Sequence, residues 1–454
     1  MKKFKIITIS AILFLILGYF LINNIRIIKN YIPNSTKQFL KETVFVHQNQ
    51  KLLKQQIETV RLERKRQTDN KRKKMLAIMK GMLLIEFFKS DETTKHAFGA
   101  TNLLVTKFTQ PIFTDLGPEA YFEYYNQNLF IISAAGNLMF STLEQVKQNK
   151  FVFKKIDTNL IDIMGTTLSD PVKHLLIVND KIYVSYLRKN ENCIDNSILF
   201  SDLNLKKMIF KEFFSTNECQ PDYTDQGGGN LSKYKNNNIL FTIGDHKSSK
   251  LREDLPQNIN SFLGKVIKIN TVNKEYEIIS MGHRNNQGIY YEEEEDVIYL
   301  TEHGPQKGDE ININVNPGGE IENYGWAVSS YGEHYGFPAD TDVLREMYKK
   351  APLNKSHKKY GFIEPIKDFK ETVAPTQIIK NDKFINNDNK KTIYVTSLMT
   401  GSVYQLLLNS DFSVQEQNSI AFGERIRDMA YIEEINKILL FLESSGSIIV
   451  LENL

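Results

Sequence analysis

Asn179-Asp180-Lys181-Ile182-Tyr183-Val184-Ser185 reads as a polar turn, an aliphatic residue and an alternating apolar strand. The same phrase stands at Asn126-Gln127-Asn128-Leu129-Phe130-Ile131-Ile132 and at Asn236-Asn237-Asn238-Ile239-Leu240-Phe241-Thr242. It returns at Glu295-Asp296-Val297-Ile298-Tyr299-Leu300-Thr301, Lys390-Lys391-Thr392-Ile393-Tyr394-Val395-Thr396 and Ile435-Asn436-Lys437-Ile438-Leu439-Leu440-Phe441. Counted on the aliphatic residue, the steps are 53, 57, 59, 95 and 45 residues. A turn-plus-strand unit of this period is what a four-stranded propeller blade produces. One blade cannot bury both faces alone, so such units stack in a ring. Six copies predict an all-β, six-bladed β-propeller rather than a sandwich or separate β domains. The step of 95 predicts an insertion between Ile298 and Ile393, in loops at one end of the ring.

Outward from the repeats, charge divides the chain. Residues 1–95 hold 20 basic and 7 acidic side chains, and the rest hold 37 and 47. The first part is suited to a membrane surface, and the second is a body with an acidic surface. That balance argues against a nucleic-acid-binding domain. With 41% hydrophobic residues, the long second part can bury a large core. Ile6 to Ile22 is uncharged and follows Lys2, Lys3 and Lys5. With no A-x-A-like cleavage site after it, the segment reads as an uncleaved signal anchor or transmembrane helix. Lys37 to Phe88 has helix-forming composition with a basic centre, Arg61 to Lys74. It is read as a stalk whose charges lie either on anionic lipid headgroups or in solvent. The expected organisation is therefore an anchor over 1–30, a basic helical stalk over 31–95 and a propeller over 96–454. The acidic run Glu292 to Asp296 is read as a solvated loop tip.

Cys193 and Cys219 are the only cysteines. They are too few for a disulfide scaffold or a four-cysteine zinc site, and spacing alone leaves open one bridge or two unrelated thiols.

Unusual residues cluster where propellers carry function, on the loops around one mouth of the channel. They are Gly282-His283-Arg284-Asn285-Asn286-Gln287-Gly288, the stretch Glu302 to Asn312 (EHGPQKGDEIN), Asn323-Tyr324-Gly325-Trp326 and Arg425-Ile426-Arg427-Asp428. In this order they resemble the soluble PQQ-dependent sugar dehydrogenases, the glucose, aldose and sorbosone dehydrogenase-like proteins. The resemblance covers about residues 115–454. It implies a six-bladed propeller of the export pathway, with its body in the periplasm or otherwise outside the cytoplasm and a Cys193–Cys219 bridge. It further implies oxidation of a small sugar or aldehyde by hydride transfer to pyrroloquinoline quinone (PQQ), with electrons passed to an acceptor.

By the same resemblance Arg284, Asn285, Arg425 and Arg427 contact the quinone, whose three carboxylates suit guanidinium forks. Without it, Arg425 and Arg427 read as an i, i+2 pair neutralised by Asp428 or Glu424. The resemblance also implies that the Gly304-Pro305 carbonyls hold a calcium that bridges to the quinone and that Glu310 and Tyr324 serve a further one, oxygen ligands such as calcium prefers. Asp309 offers a second carboxylate in that loop.

Two positions depart from the family pattern. The family's general base is a histidine opening an H-x-G-[GS]-R-L phrase upstream of a Gly-Asp. Counting back from Gly244-Asp245 puts Gln226 at the histidine and Asn230 at the arginine. A glutamine amide takes up no proton near neutral pH, so Asp245 has no base to orient. Met399 stands where the family commonly has a quinone-contacting lysine. His246 and His303 are the candidate substitute bases. Two functions follow: a membrane-anchored PQQ-type sugar dehydrogenase with altered chemistry, or a catalytically degenerate propeller that binds carbohydrate or protein.

Overall fold

The computed structural model describes residues 58–59, 70 and 81–454, apart from 113–118, 166–167, 169, 192, 222–225, 247–254, 336–352 and 386–389. The proposed anchor and most of the proposed stalk lie outside the described residues. Among those described, no helix is long and apolar enough to cross a membrane.

The polar turns start the architecture. Asn126 and Gln127, and again Asn179 and Asp180, hold φ between 45° and 63°. Two successive left-handed residues make a hairpin turn whose twist matches the flanking strands, and Asn and Asp tolerate it best. Each of the six phrases then runs into the second strand of a four-stranded antiparallel sheet. Blade 1 is Ala120–Tyr125, Asn128–Ser133, Leu138–Thr142 and Phe151–Lys155. Blade 2 is Val172–Val178, Lys181–Asn190, Cys193–Asp202 and Lys211–Ser215. Blade 3 is Gly228–Tyr234, Asn238–Ile243, Lys265–Asn270 and Tyr276–Met281. Blade 4 is Asn286–Glu292, Val297–Glu302, Glu310–Asn314 and the short Lys367–Asp368. Blade 5 is Pro375–Lys380, Lys391–Ser397, Ser402–Leu408 and Val414–Ala421. Blade 6 takes Ile426–Ile432, Lys437–Leu442 and Ser447–Asn453 from the end of the chain and Thr101–Thr109 from its beginning.

The first strand of every blade touches the first strand of the next, and the last touches the first, so the six close a ring. This is a β-propeller. Each seam between neighbouring blades is filled by its own apolar cluster. The seam between blades 1 and 6, for example, brings Phe122, Ile131 and Phe153 onto Leu439, Phe441 and Val450. The insertion expected from the long step falls between Asn314 and Lys367, at the third-to-fourth strand connection of blade 4.

Residues 84–95, read from sequence as part of the helical stalk, belong instead to the body. Leu84–Lys89 is a strand paired along Phe151–Lys155 of blade 1 and, at its end, with Thr101–Thr109 of blade 6. Thr94–Phe98 forms a hairpin with that same blade 6 strand. Ile85 and Phe87 alternate inward while Leu84, Glu86 and Phe88 face out, the period of a strand. Packing of those two side chains against the outer edges of two blades outweighs the helical composition of the stretch. Cys193 and Cys219 are joined in a disulfide with Cα atoms 5.4 Å apart. Cys219 directly precedes the short strand Gln220–Pro221, which pairs with the strand that Cys193 opens.

Candidate functional site

The loops that carry the unusual residues meet at one mouth of the channel. The connection after blade 3 supplies Arg284, and the hairpin exit of blade 4 supplies His303, Gly304 and Asp309. The turn before blade 3 supplies Gln226. With Tyr335, Thr372 and Ala374 they line a cavity of about 230 Å³.

Gln226 and Asp245 do meet. The Gln226 amide nitrogen donates to Asp245 Oδ1 at 3.1 Å, and its oxygen accepts from Arg284 Nη2 at 2.8 Å. Asp245 is buried, and its other oxygen accepts from the Trp326 indole at 2.8 Å. The chain brings these groups together because Gln226 adopts φ 62° and its carbonyl crosses Gly244 at a distance no side chain tolerates: a Cβ there would lie 1.9 Å from the Gln226 oxygen.

Arg284 is the hub. Its Nη1 donates to the carbonyls of His303 at 2.8 Å and Gly304 at 2.6 Å. Its guanidinium lies 5.4 Å from the Trp326 ring centroid and 5.9 Å from that of Tyr335. The adjoining backbone is fixed by Glu302, which accepts from the Arg284 amide at 2.7 Å and lies 2.9 Å from His283 Nδ1. Asn285 Oδ1 accepts from the Gly228 amide and from Gln287, and its Nδ2 is 3.3 Å from His303 Nδ1.

The two candidate substitute bases part company. His303 lines the cavity, but its Nε2 is 2.8 Å from the Pro375 carbonyl and must donate there, which leaves Nδ1 to accept from Asn285. Burial, with Arg284 and Arg427 nearby, pushes it down to about 3. His303 is thus a neutral ring with both nitrogens engaged. His246 is absent from the cavity lining, and its Nε2 faces Asn196 Oδ1 of blade 2.

Asp309 accepts from the backbone amides of Gly304, Val373 and Ala374, and burial raises it to about 6 against those donors. It ties the 304–309 loop to the entry of blade 5. The Pro305 carbonyl accepts from the Gly308 amide at 2.9 Å. Glu310 is buried, which lifts it to about 7, and lies 3.3 Å from His357 Nε2. The Tyr324 hydroxyl lies 2.6 Å from both the Ile313 carbonyl and Glu322.

Arg425 and Arg427 do share a partner, but neither Asp428 nor Glu424. Both meet the buried Glu443, Arg425 at 2.6 Å. Arg427 also meets Glu119 at 3.0 Å, and Glu119 holds Lys173 at 3.2 Å. Burial would raise Glu119, yet Arg427 and Lys173 bring it down to about 2. Arg427 does not line the cavity itself; it contacts Gln287 at 3.3 Å, and Gln287 bonds to Asn285, which meets the cavity-lining His303. Glu424 pairs with Lys107, and Asp428 turns inward to the Phe122 amide and Gln377. Met399 is 64% exposed and lies outside the cavity lining. Asn230 is buried and donates to the Gln287 carbonyl. The acidic tip is partly paired, through Lys233–Glu293, Lys235–Asp296 and Lys391–Glu295.

Glu119, Glu443 and His357 were not read from the sequence. Glu119 and His357 lie far along the chain from their partners, and Glu443, 16 residues after Arg427, stands in no motif.

Among known proteins, the family model described as Glucose / Sorbosone dehydrogenase matches residues 126–450. An uncharacterized protein of Synechocystis is 26% identical over 245 residues, covering 50% of this chain and 56% of its own. Aldose sugar dehydrogenase YliI of Escherichia coli is 28% identical over 240 residues, covering 49% of this chain and 58% of its own. The chain thus matches little more than half the length of these curated relatives. A crystal structure of glucose dehydrogenase is similar in fold, with a TM-score of 0.59 and 17% identity over 80% of this chain and 99% of that one.

Proposed function

Because the chain belongs to the glucose/sorbosone dehydrogenase family, we propose that it is an anchored sugar-binding propeller on a sugar dehydrogenase scaffold, with its body outside the cytoplasm. A small neutral sugar occupies the cavity between Gln226, Arg284 and His303. The observation that carries this reading is the Gln226 amide, which spans Asp245 and Arg284 and offers no proton acceptor. A sugar hydroxyl there can be held by hydrogen bonds and its ring set against Tyr335, but neither the Gln226 amide nor the neutral, fully engaged His303 takes its proton. The disulfide supports an oxidising compartment, and the lysine-flanked apolar run Ile6 to Ile22 supports the anchor.

Calcium and PQQ do not fit the residues as they stand. The Gly304 carbonyl is already taken by a cation, Arg284, and the Pro305 carbonyl by the Gly308 amide. Glu310 faces His357, and among the described residues no three acidic, histidine or cysteine side chains group to hold a metal. Arg425 and Arg427 are met by Glu443 and Glu119, and Met399 brings no charge.

The second reading, a PQQ-dependent sugar dehydrogenase passing electrons to an external acceptor, is favoured by one observation. Arg284, Arg425 and Arg427 all act on the His303 ring at the same mouth. One experiment separates the two. Trp326 is the single tryptophan and bonds to Asp245 beside the cavity, so its emission reports occupancy. The full chain is titrated with glucose and other aldoses, then supplied with PQQ and calcium and assayed for dye reduction. A saturable change in emission without dye reduction supports the binding reading. Brisk dye reduction overturns it, and no emission change with any aldose removes the sugar cavity altogether.

A further inference from the structure

We propose that Glu119 and Glu443 determine which ligand this mouth accepts, acting as resident carboxylates in the places of an anionic ligand's own. The inference rests on the sugar-binding reading and names the charge of what that site excludes.

Arg427 is buried, and its Nη2 meets both Glu443 and Glu119, the latter at 3.0 Å, while its Nη1 donates to Gln287 at 3.3 Å. Arg425, nearly half exposed, spends its Nε on the other Glu443 oxygen at 2.6 Å. Tyr121 donates to Glu119 at 2.9 Å and Lys173 closes it from the other side. Two carboxylates thus meet three cations, with a phenol fixing the orientation of one and Arg427 held on Nη2 by both. On the far wall Arg284 is likewise satisfied by two carbonyls and Gln226. A ligand carboxylate entering here must displace a buried charge pair and face the carboxylate it displaced, and like charges so juxtaposed discriminate strongly between partners. A neutral polyol meets no such opposition. Glu119 and Glu443 act through the arginines, so they are positioning residues that set specificity.

The test uses PQQ as the anionic probe and glucose as the neutral one, on the full chain and on its Glu119→Gln, Glu443→Gln and double variants. PQQ binding is read by equilibrium dialysis and quinone absorbance, and glucose binding by Trp326 emission. Each single variant is expected to bind PQQ at least about tenfold more tightly than the parent, and the double variant more tightly still. Glucose affinity is expected to stay within about twofold. Glu443→Gln strips Arg427 of a buried partner and can unfold the blade; Glu119→Gln leaves Glu443 in place and then carries the test alone. The proposal is overturned if the parent already binds PQQ as tightly as the variants. It is equally overturned if folded Glu119→Gln gains nothing. Glucose binding without any gain for PQQ sinks the gatekeeping carboxylates and spares the sugar cavity. A gain for PQQ without glucose binding does the reverse.

Discussion

Gln226 owes its place to being neither acid nor base. It sits between a buried carboxylate and a buried guanidinium, with one donor for the first and one acceptor for the second. The amide thereby bridges the two side chains at the cavity wall that Gln226 and Arg284 line. Replacing it by alanine removes one hydrogen bond from each partner, and losing a hydrogen bond to a buried charged group costs about 1–3 kcal/mol. Gln226→Ala is therefore expected to lower urea stability by that amount and to shift Trp326 emission, because the indole donates to the same Asp245 carboxylate. An unchanged urea midpoint would show that water replaces the amide without loss. The position was legible beforehand because a fixed count back from Gly244-Asp245 reaches it. The carboxylates that neutralise Arg427 were not: Glu119 and Glu443 come from opposite ends of the chain and meet only when the ring closes.

Among the elements, the strand Leu84–Lys89 is the one whose reading changed. Its letters, Leu-Ile-Glu-Phe-Phe-Lys, suit a helix by composition, yet Ile85 and Phe87 alternate into the seam between blades 1 and 6. Phe87 meets Phe153 edge-on, with ring centroids 5.6 Å apart. A six-residue run carries little periodicity, so the period of two at Ile85 and Phe87 stands out only once both are packed. Phe87→Ala is expected to cost about 3–5 kcal/mol, as for other buried phenylalanines. Its neighbour Phe88, 60% exposed, is expected to stay within about 0.5 kcal/mol on the same change. Urea titration of the two variants side by side checks this, and equal costs would mean the strand does not clasp the two blades. A chain begun at residue 96 loses this strand altogether, so independent folding of the body is better sought from about residue 82 onward.

For the molecule as a whole, blade number was legible because every blade repeats its first hairpin, whereas ring closure by Thr101–Thr109 leaves no repeat to read. The channel lining was equally hidden, since its members face inward from six separate first strands. Asp428 of blade 6 takes bonds from the Phe122 amide of blade 1 and from Gln377 of blade 5, and Gln377 lies 3.1 Å from His174 of blade 2. Burial raises Asp428 to about 7 and Glu123 to about 8, while it lowers His174 to about 3. A carboxyl raised in the folded state holds a proton that the unfolded chain releases near pH 4. Its contribution is complete below that value and is lost as pH rises through 7 to 8. A histidine lowered in the folded state works the other way: its contribution is complete above about 6.5 and is lost as pH falls toward 3, as it is for His303. Glu119, held at about 2, adds to the loss on the acid side below about 4.5. The opposing slopes overlap between about pH 4.5 and 6.5, where four raised carboxyls outnumber two lowered histidines, so stability should be greatest near the lower end of that window and fall from there. Above 6.5 the carboxyls dominate, with Asp309, Glu310 and the raised His357 adding to the same fall and Lys265, lowered to about 8, opposing it only from about there upward. The melting temperature is therefore expected to drop by several degrees between pH 6 and 8.5, and Asp428→Asn, which carries no proton to lose, should flatten part of that drop. A melting temperature that rises over this range would mean that the channel carboxyls are ionised in the folded ring, and that the hydrogen bonds from Phe122 and Gln377 outweigh their burial.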